Sequence, residues 1–260
     1  MPAEETSRAP IIVAHRGYAA CRPENTFAAL DAAAAAGARW VEIDVQLSAD
    51  GIPMVLHDPT LERVSGDSRT VFELTAAELA RLSVGEPGRF GTRYADARIP
   101  TLAGFAAWLS RQPAINAFVE LKPESIERFG AATVVSACMA ALAPATGRWA
   151  PISFDIDTLR LARDAGCPAL GWIVRVFDPA IAAAARALPA RWLFCNHERL
   201  PAGPLPPGPW DWVLYEIGDV ATGRAMLARG ARWLETMAVT ELQKGLEGAA
   251  SQHGSAEETG

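Results

Sequence analysis

Residues 40–58 read WVEIDVQLSADGIPMVLHD. The opening of this stretch has the composition of a β-strand over residues 40–47, and its character alternates. Val41, Ile43 and Val45 fall on one face, Glu42 and Asp44 on the other, because successive strand side chains point to opposite sides. The apolar set can pack against helices, so the two carboxylates must look toward the interior or the mouth of whatever the strand builds. Asp50-Gly51 supplies a turn, after which the chain continues in extended form over residues 55–57.

Outward from this strand, short apolar runs alternate with Ala-rich helical segments. Further strands are predicted at 11–14, 115–121, 149–153, 169–174, 192–195, 212–216 and 232–235. Helices are predicted at 26–36, 102–110, 126–142, 156–165, 179–188, 219–228 and 239–246, the first capped by Asn25 and ended by Gly37. Eight strands, most followed by a helix, in a chain of 260 residues favour a closed TIM-type (β/α)₈ barrel over an open sheet. The barrel is expected to occupy residues 1–247 as one domain. Residues 59–100 interrupt the rhythm and read as a small insertion after strand two, with one helix at 75–82 marked by the capping-box pair Thr75 and Glu78. The Pro- and Gly-rich stretch 200–209 reads as a loop, and 248–260 as a disordered tail.

The composition narrows the function. A net charge of −6 with no basic run argues against nucleic acid as a partner. No apolar stretch is long enough to span a bilayer, and residues 1–10 carry no apolar core of a signal peptide, so a cytoplasmic protein without stable membrane association is expected. Cys21, Cys138, Cys167 and Cys195 are scattered without a CxxC pair, which reads as free thiols. The oligomeric state is left open.

The active site of a TIM barrel lies at the C-terminal ends of its strands. The first strand runs into His15-Arg16, the second carries Glu42 and Asp44, and the third runs into Glu120-Leu121-Lys122. Alone, Glu-x-Asp on a strand is commonly a solvated edge. Here a third carboxylate, Glu120, joins the pair, and acids this close repel unless a proton or a cation separates them. Hard oxygen ligands on rigid strands suit Ca²⁺ or Mg²⁺. His15 and His57 beside such an ion can work as an acid–base pair. Arg16 suits bidentate contact with phosphate, and Lys122 adds a point charge. Phe154 and Trp172, near strand ends, are candidates to line a substrate pocket. Glu24 precedes a helix and serves either its cap or the orientation of Arg16. His197 is read as structural.

These residues, in this order, resemble the glycerophosphodiester phosphodiesterase family. The matching segments are AHRGY at 14–18, PENT at 23–26, EIDVQLSADGIPMVLHD at 42–58, IPTL at 99–102 and ELKP at 120–123, with looser likeness at ISFD 152–155 and CNH 195–197. The resemblance implies a divalent cation on Glu42, Asp44 and Glu120, an acid–base pair of His15 and His57, and a phosphate held by Arg16 and Lys122. It also implies a small-molecule glycerophosphodiester substrate, such as glycerophosphocholine, cleaved to sn-glycerol 3-phosphate and an alcohol. Two departures stand out. Where the family often has Thr-Val-Asn and a final Thr-Asp, this chain has Tyr215-Glu216-Ile217-Gly218 and Glu235-Thr236. Both would lie at the barrel mouth and bear on the shape of the pocket, and they give some support to a non-catalytic barrel that binds phosphate esters. A lysophospholipase D-type enzyme is the other alternative, with Phe90 and Tyr94 near the insertion as candidate apolar surface.

Overall fold

The computed structural model describes residues 9–145 and 147–253. Nine strands form one sheet: β1 (Ile11–Ala14), β2 (Trp40–Leu47), β3 (Pro53–Val55), β4 (Asn116–Leu121), β5 (Trp149–Ser153), β6 (Gly171–Val174), β7 (Trp192–Asn196), β8 (Asp211–Tyr215) and β9 (Trp233–Thr236). Eight are parallel, and β1 pairs with both β2 and β9, so the sheet closes on itself. This is the TIM-type (β/α)₈ barrel. The ninth strand, β3, folds back antiparallel on β2, with Leu47 opposite Pro53. Residues 200–209 carry no helix.

The period of two decides what each strand buries. Val41, Ile43 and Val45 pack into the layer between barrel and helices. The opposite set fills the barrel. Its floor is aromatic: Trp40 stacks on Phe118 with centroids 4.5 Å apart, and Trp192 and Trp233 meet Trp40 edge-on at 5.6 and 5.1 Å. Offset and edge-to-face contacts of this kind add to the area they bury. Gly171 has to be glycine, because a Cβ there would come within 2.7 Å of Ile152 and of Phe194. Above this floor the interior turns from apolar to charged.

Helix starts follow local chemistry. Thr26, Thr101, Asp155, Asp178 and Asp219 each accept a hydrogen bond from the backbone N–H three residues on, satisfying donors that the first helical turn leaves free. The cap of the first helix is therefore Thr26, not Asn25, which adopts φ 56° and reaches into the site instead. The helix expected over 126–142 is two, Pro123–Phe129 and Ala131–Leu142, broken at Gly130 with φ 83°. The helix expected at 75–82 is shorter, Ala76–Leu79, although its capping box is present. Two further short helices, Glu62–Ser65 and Pro87–Phe90, lie in the same insertion, whose Leu61, Val71, Leu79 and neighbours form a small separate core with Met54 of β3. The last helix, Val239–His253, runs into the stretch expected to be a tail, and residues 254–260 lie outside the described residues, as do 1–8. Among the described residues no single helix is long and apolar enough to cross a membrane, and the four cysteines are free.

Candidate active site

Four strands deliver the chemistry. Inward positions at the C-terminal ends of β1, β2, β4 and β9 carry His15, Glu42 with Asp44, Glu120 with Lys122, and Glu235, each 8% exposed or less. The register places Asp44 beside Glu120 across the β2–β4 pair. The chain turns sharply after β1. Arg16 takes φ 55°, a left-handed conformation uncommon without glycine, and Gly17 follows at φ 77°. A Cβ on Gly17 would meet the Ala29 carbonyl carbon at 2.7 Å. This turn lets the Arg16 backbone N–H donate to Glu42 Oε2 at 3.1 Å while its guanidinium reaches Glu24 Oε1 at 3.0 Å and approaches Asp44 Oδ2 at 3.3 Å.

A relay of hydrogen bonds supports this half of the mouth. Arg63, from the insertion, donates to both oxygens of Glu24 at 2.8 and 2.6 Å, and to Asp58 Oδ2 at 2.6 Å. Asp58 in turn lies 2.6 Å from His57 Nδ1. Glu86, also from the insertion, accepts the Glu24 N–H at 2.7 Å. Asn25 clasps Asp44 twice: its amide donates to Oδ2 at 2.9 Å, and its carbonyl oxygen accepts the Asp44 N–H at 3.3 Å. The insertion therefore braces the loop 23–26, which braces the acids.

The electrostatics are those of too many carboxylates in one dry place. Burial and the neighbouring acids, Asp44 foremost, raise Glu42 well above the ordinary range. Burial and Asp44 raise Glu235 likewise. Burial pushes Glu120 up to about 7 against the pull of Lys122. Burial acts on Asp44 in the same sense, but Lys122 and Arg16 outweigh it and hold this carboxyl well below its usual value. Burial, then the Arg16 charge, lowers His15 to about 3.

Glu42, Asp44 and Glu120 each offer an oxygen within 4.8 Å of the others. Asp44 Oδ1 and Glu120 Oε1 are buried and accept no well-formed hydrogen bond, although Lys122 Nζ stands 3.4 and 3.1 Å away. Unsatisfied buried carboxylate oxygens facing one point are what a hard divalent cation needs, so the residues fit such an ion.

The cavity above is lined by His15, Arg16, Glu42, His57, Glu120 and Lys122 on one side. Ile152, Phe154, Ile173, Phe194, Tyr215, Glu216 and Glu235 line the other. Phe154 is thus on its wall. Trp172 is not: it packs among the helices and donates its indole N–H to the Phe154 carbonyl at 3.2 Å, while its neighbour Ile173 faces inward. Phe90 and Tyr94 pack edge to face at 5.2 Å, and the Tyr94 hydroxyl donates to the Cys21 carbonyl. His197 lies in a 3-10 turn outside the cavity. Tyr215, Glu216 and Glu235, read from sequence as departures from the family pattern at the barrel mouth but given no role, line the cavity, while Asn25 and Arg63 were not read as part of the site. For Glu235 a signal existed, since Trp233 and Glu235 share a face by the same alternation that exposed Glu42 and Asp44.

A closed parallel barrel with clustered carboxylates and two imidazoles at its C-terminal mouth is a TIM barrel with a candidate metal-assisted centre. Residues 15–197 match the glycerophosphoryl diester phosphodiesterase family, and the chain belongs to it. It is 41% identical over 92 residues to the glycerophosphodiester phosphodiesterase of Caldanaerobacter subterraneus subsp. tengcongensis, covering 35% of this chain and 37% of that protein. It is 39% identical over 90 residues to glycerophosphodiester phosphodiesterase 1 of Rattus norvegicus, covering 35% and 27%. The chain thus spans less than half the length of these curated relatives. Among solved structures, an Oleispira antarctica phosphodiesterase in complex with the product sn-glycerol-3-phosphate matches with TM-score 0.80 at 24% identity, covering 92% of this chain and 97% of that one. A putative glycerophosphoryl diester phosphodiesterase from Silicibacter pomeroyi matches with TM-score 0.81 at 21% identity, covering 94% and 95%. At these identities the structural likeness speaks for the fold.

Proposed function

We propose that this chain hydrolyses glycerophosphodiesters, such as glycerophosphocholine, to sn-glycerol 3-phosphate and an alcohol. The observation that carries the reading is the convergence of Glu42, Asp44 and Glu120 on one point, with His15 and His57 lining the same cavity. The three carboxylates would hold Ca²⁺ or Mg²⁺, which when bound supplies Lewis acidity to a phosphoryl oxygen. Arg16 and Lys122 bind the phosphate and offset the charge that gathers on it as the phosphorus–oxygen bond to the alcohol breaks. Asp58 fixes the His57 ring through Nδ1, leaving Nε2 for the substrate, with the tautomer assigned from this contact. One imidazole accepts the proton of the attacking oxygen as its bond to phosphorus forms, and the other gives a proton to the departing alcohol oxygen. The attacking oxygen belongs either to water, which gives sn-glycerol 3-phosphate directly, or to the adjacent glycerol hydroxyl, whose cyclic ester water then opens. Ile152, Phe154 and Ile173 form the apolar wall against which the substrate's carbon skeleton rests.

The test is direct. Purified protein with Mg²⁺ or Ca²⁺ and glycerophosphocholine should release sn-glycerol 3-phosphate, and a chelator should stop it. His15→Ala should lower kcat by about 10²–10⁴-fold while leaving divalent-ion binding in place. Absence of product with every glycerophosphodiester and every divalent ion tried rules the proposal out.

A further inference from the structure

Glu235 is a buried carboxylate that the mechanism above leaves without a task. It is 3% exposed and lines the catalytic cavity, and its Oε2 accepts no hydrogen bond. Among the described residues its one ionic partner within 4 Å is His15. A carboxylate in such a place is costly unless a proton or a cation takes up its charge. It also stands in the segment where the family resemblance leads one to expect Thr-Asp rather than Glu235-Thr236, which sets the acid one position earlier than that pattern does.

Its geometry points to a cation. Glu235 Oε1 lies 3.6 Å from His15 Nε2, and Glu42 Oε2 lies 3.8 Å from the same nitrogen. These separations are too long for hydrogen bonds. They suit ligands of one ion, since atoms about 2.1 Å from a tetrahedral metal sit about 3.4 Å from one another. The three side chains offer atoms that all lie within 4.8 Å of each other. The donor set also differs in kind from the first. Glu42, Asp44 and Glu120 present oxygen alone and favour a hard ion, whereas an imidazole with two carboxylates favours a borderline one.

We propose that His15, Glu42 and Glu235 form a second cation site, selective for a borderline ion such as Zn²⁺, whose occupation stops turnover. A metal on Nε2 takes the lone pair that His15 needs to carry a proton. The inhibitory half of this inference rests on the acid–base role of His15 proposed above, while the binding half rests on geometry alone. Glu42 belongs to both sets, so filling one site alters the affinity of the other.

The experiment titrates Zn²⁺ into the full chain saturated with Mg²⁺, by calorimetry, and counts both metals by elemental analysis after dialysis. One Zn²⁺ per chain should bind with Mg²⁺ retained. Glu235→Gln should weaken Zn²⁺ at least about tenfold. Glu235→Thr, which places the small polar residue of the family pattern there, should do the same. The Zn²⁺ concentration that halves the rate should rise in step. Thermal unfolding and Mg²⁺ binding check that both variants are folded, and the wild-type metal count decides the site should either fail. Zn²⁺ that binds both variants as tightly as wild type, or that merely replaces Mg²⁺ one for one, overturns the proposal. If no form turns over substrate, the reading of function falls, and the Zn²⁺ count still decides the site.

Discussion

The two sides of the barrel mouth are built differently. On the side of β1, β2 and β4, charged groups are tied in series: Arg16 to Glu24, Glu24 to Arg63, Arg63 to Asp58, Asp58 to His57. On the side of β5 to β8 the wall is Ile152, Phe154, Ile173, Phe194 and Tyr215, and its ties are looser, such as Arg175 lying 4.4 Å over the Phe154 ring. Fixed dipoles and charges aimed at a reacting group lower a barrier because they need not reorganise. An apolar wall supplies shape instead. The first side is therefore where a substitution should act on the chemical step, and the second where it should act on substrate fit.

Arg63→Ala gives the larger effect. Arg63 touches no candidate catalytic atom, yet it holds Glu24 and Asp58 at once. Its loss frees Asp58 from one of its two partners and leaves Glu24 to Arg16 alone. We expect kcat to fall about 10–100-fold, the cost usually seen when the residues that orient a metal-site group are removed, with KM little changed. Steady-state kinetics on glycerophosphocholine measures this, and a change confined to KM would erase the distinction between the sides. Phe154→Ala should do the reverse. An aromatic contact worth about 0.5–1.5 kcal/mol corresponds to a rise in KM of roughly 2–10-fold at constant kcat. A fall in kcat of the same size would place Phe154 with the chemistry.

The same division explains what could be read from sequence. In β2 the alternation of Val41, Ile43 and Val45 with Glu42 and Asp44 is unambiguous, because acids and aliphatics cannot exchange faces. The bounds of β2 and the inward pair Glu42 and Asp44 followed from it, while the barrel followed from the count of strands and helices along the chain. In β6 the residues Trp172 and Ile173 are both apolar, so nothing in their chemistry says which faces inward, and Trp172 was placed on the wrong side. Asn25 looked like a cap because it precedes a helix. Its left-handed φ and its contact with Asp44 depend on two segments meeting in space. Arg63 belongs to an insertion whose helices are four residues long, too short for periodicity to register. The break at Gly130 was legible as a glycine but not as a stop, since the flanking pattern is helical on both sides.

The smallest effect we expect concerns stability, and it is confined to the charged side. Glu120 is held at about 7 in the folded chain by burial and by Asp44, and burial moves Glu42 and Glu235 in the same direction. An unfolded glutamate titrates near 4.3. Between these values the folded metal-free chain binds more protons than the unfolded one, so its stability is fully present below about pH 4.3 as far as these groups are concerned and declines as pH rises through about 7. Asp44, held low, contributes the opposite slope only below the unfolded aspartate value, outside this window. His15, lowered to about 3 by burial and Arg16, opposes the decline up to the unfolded histidine value near 6.5, so the net fall is concentrated above it. Thermal unfolding of the chelated protein should thus show a Tm that drops by a few °C from about pH 6.5 to pH 8, at about 2–4 °C per kcal/mol for a chain of this size. Saturating Mg²⁺ or Ca²⁺ should reverse the slope, because the ion takes the place of the protons and binds better as they leave. A Tm of the metal-free protein that rises across this interval would mean that the carboxylates are already paired without a cation, and the charged side would then be braced as an ion-pair network instead of poised around a metal.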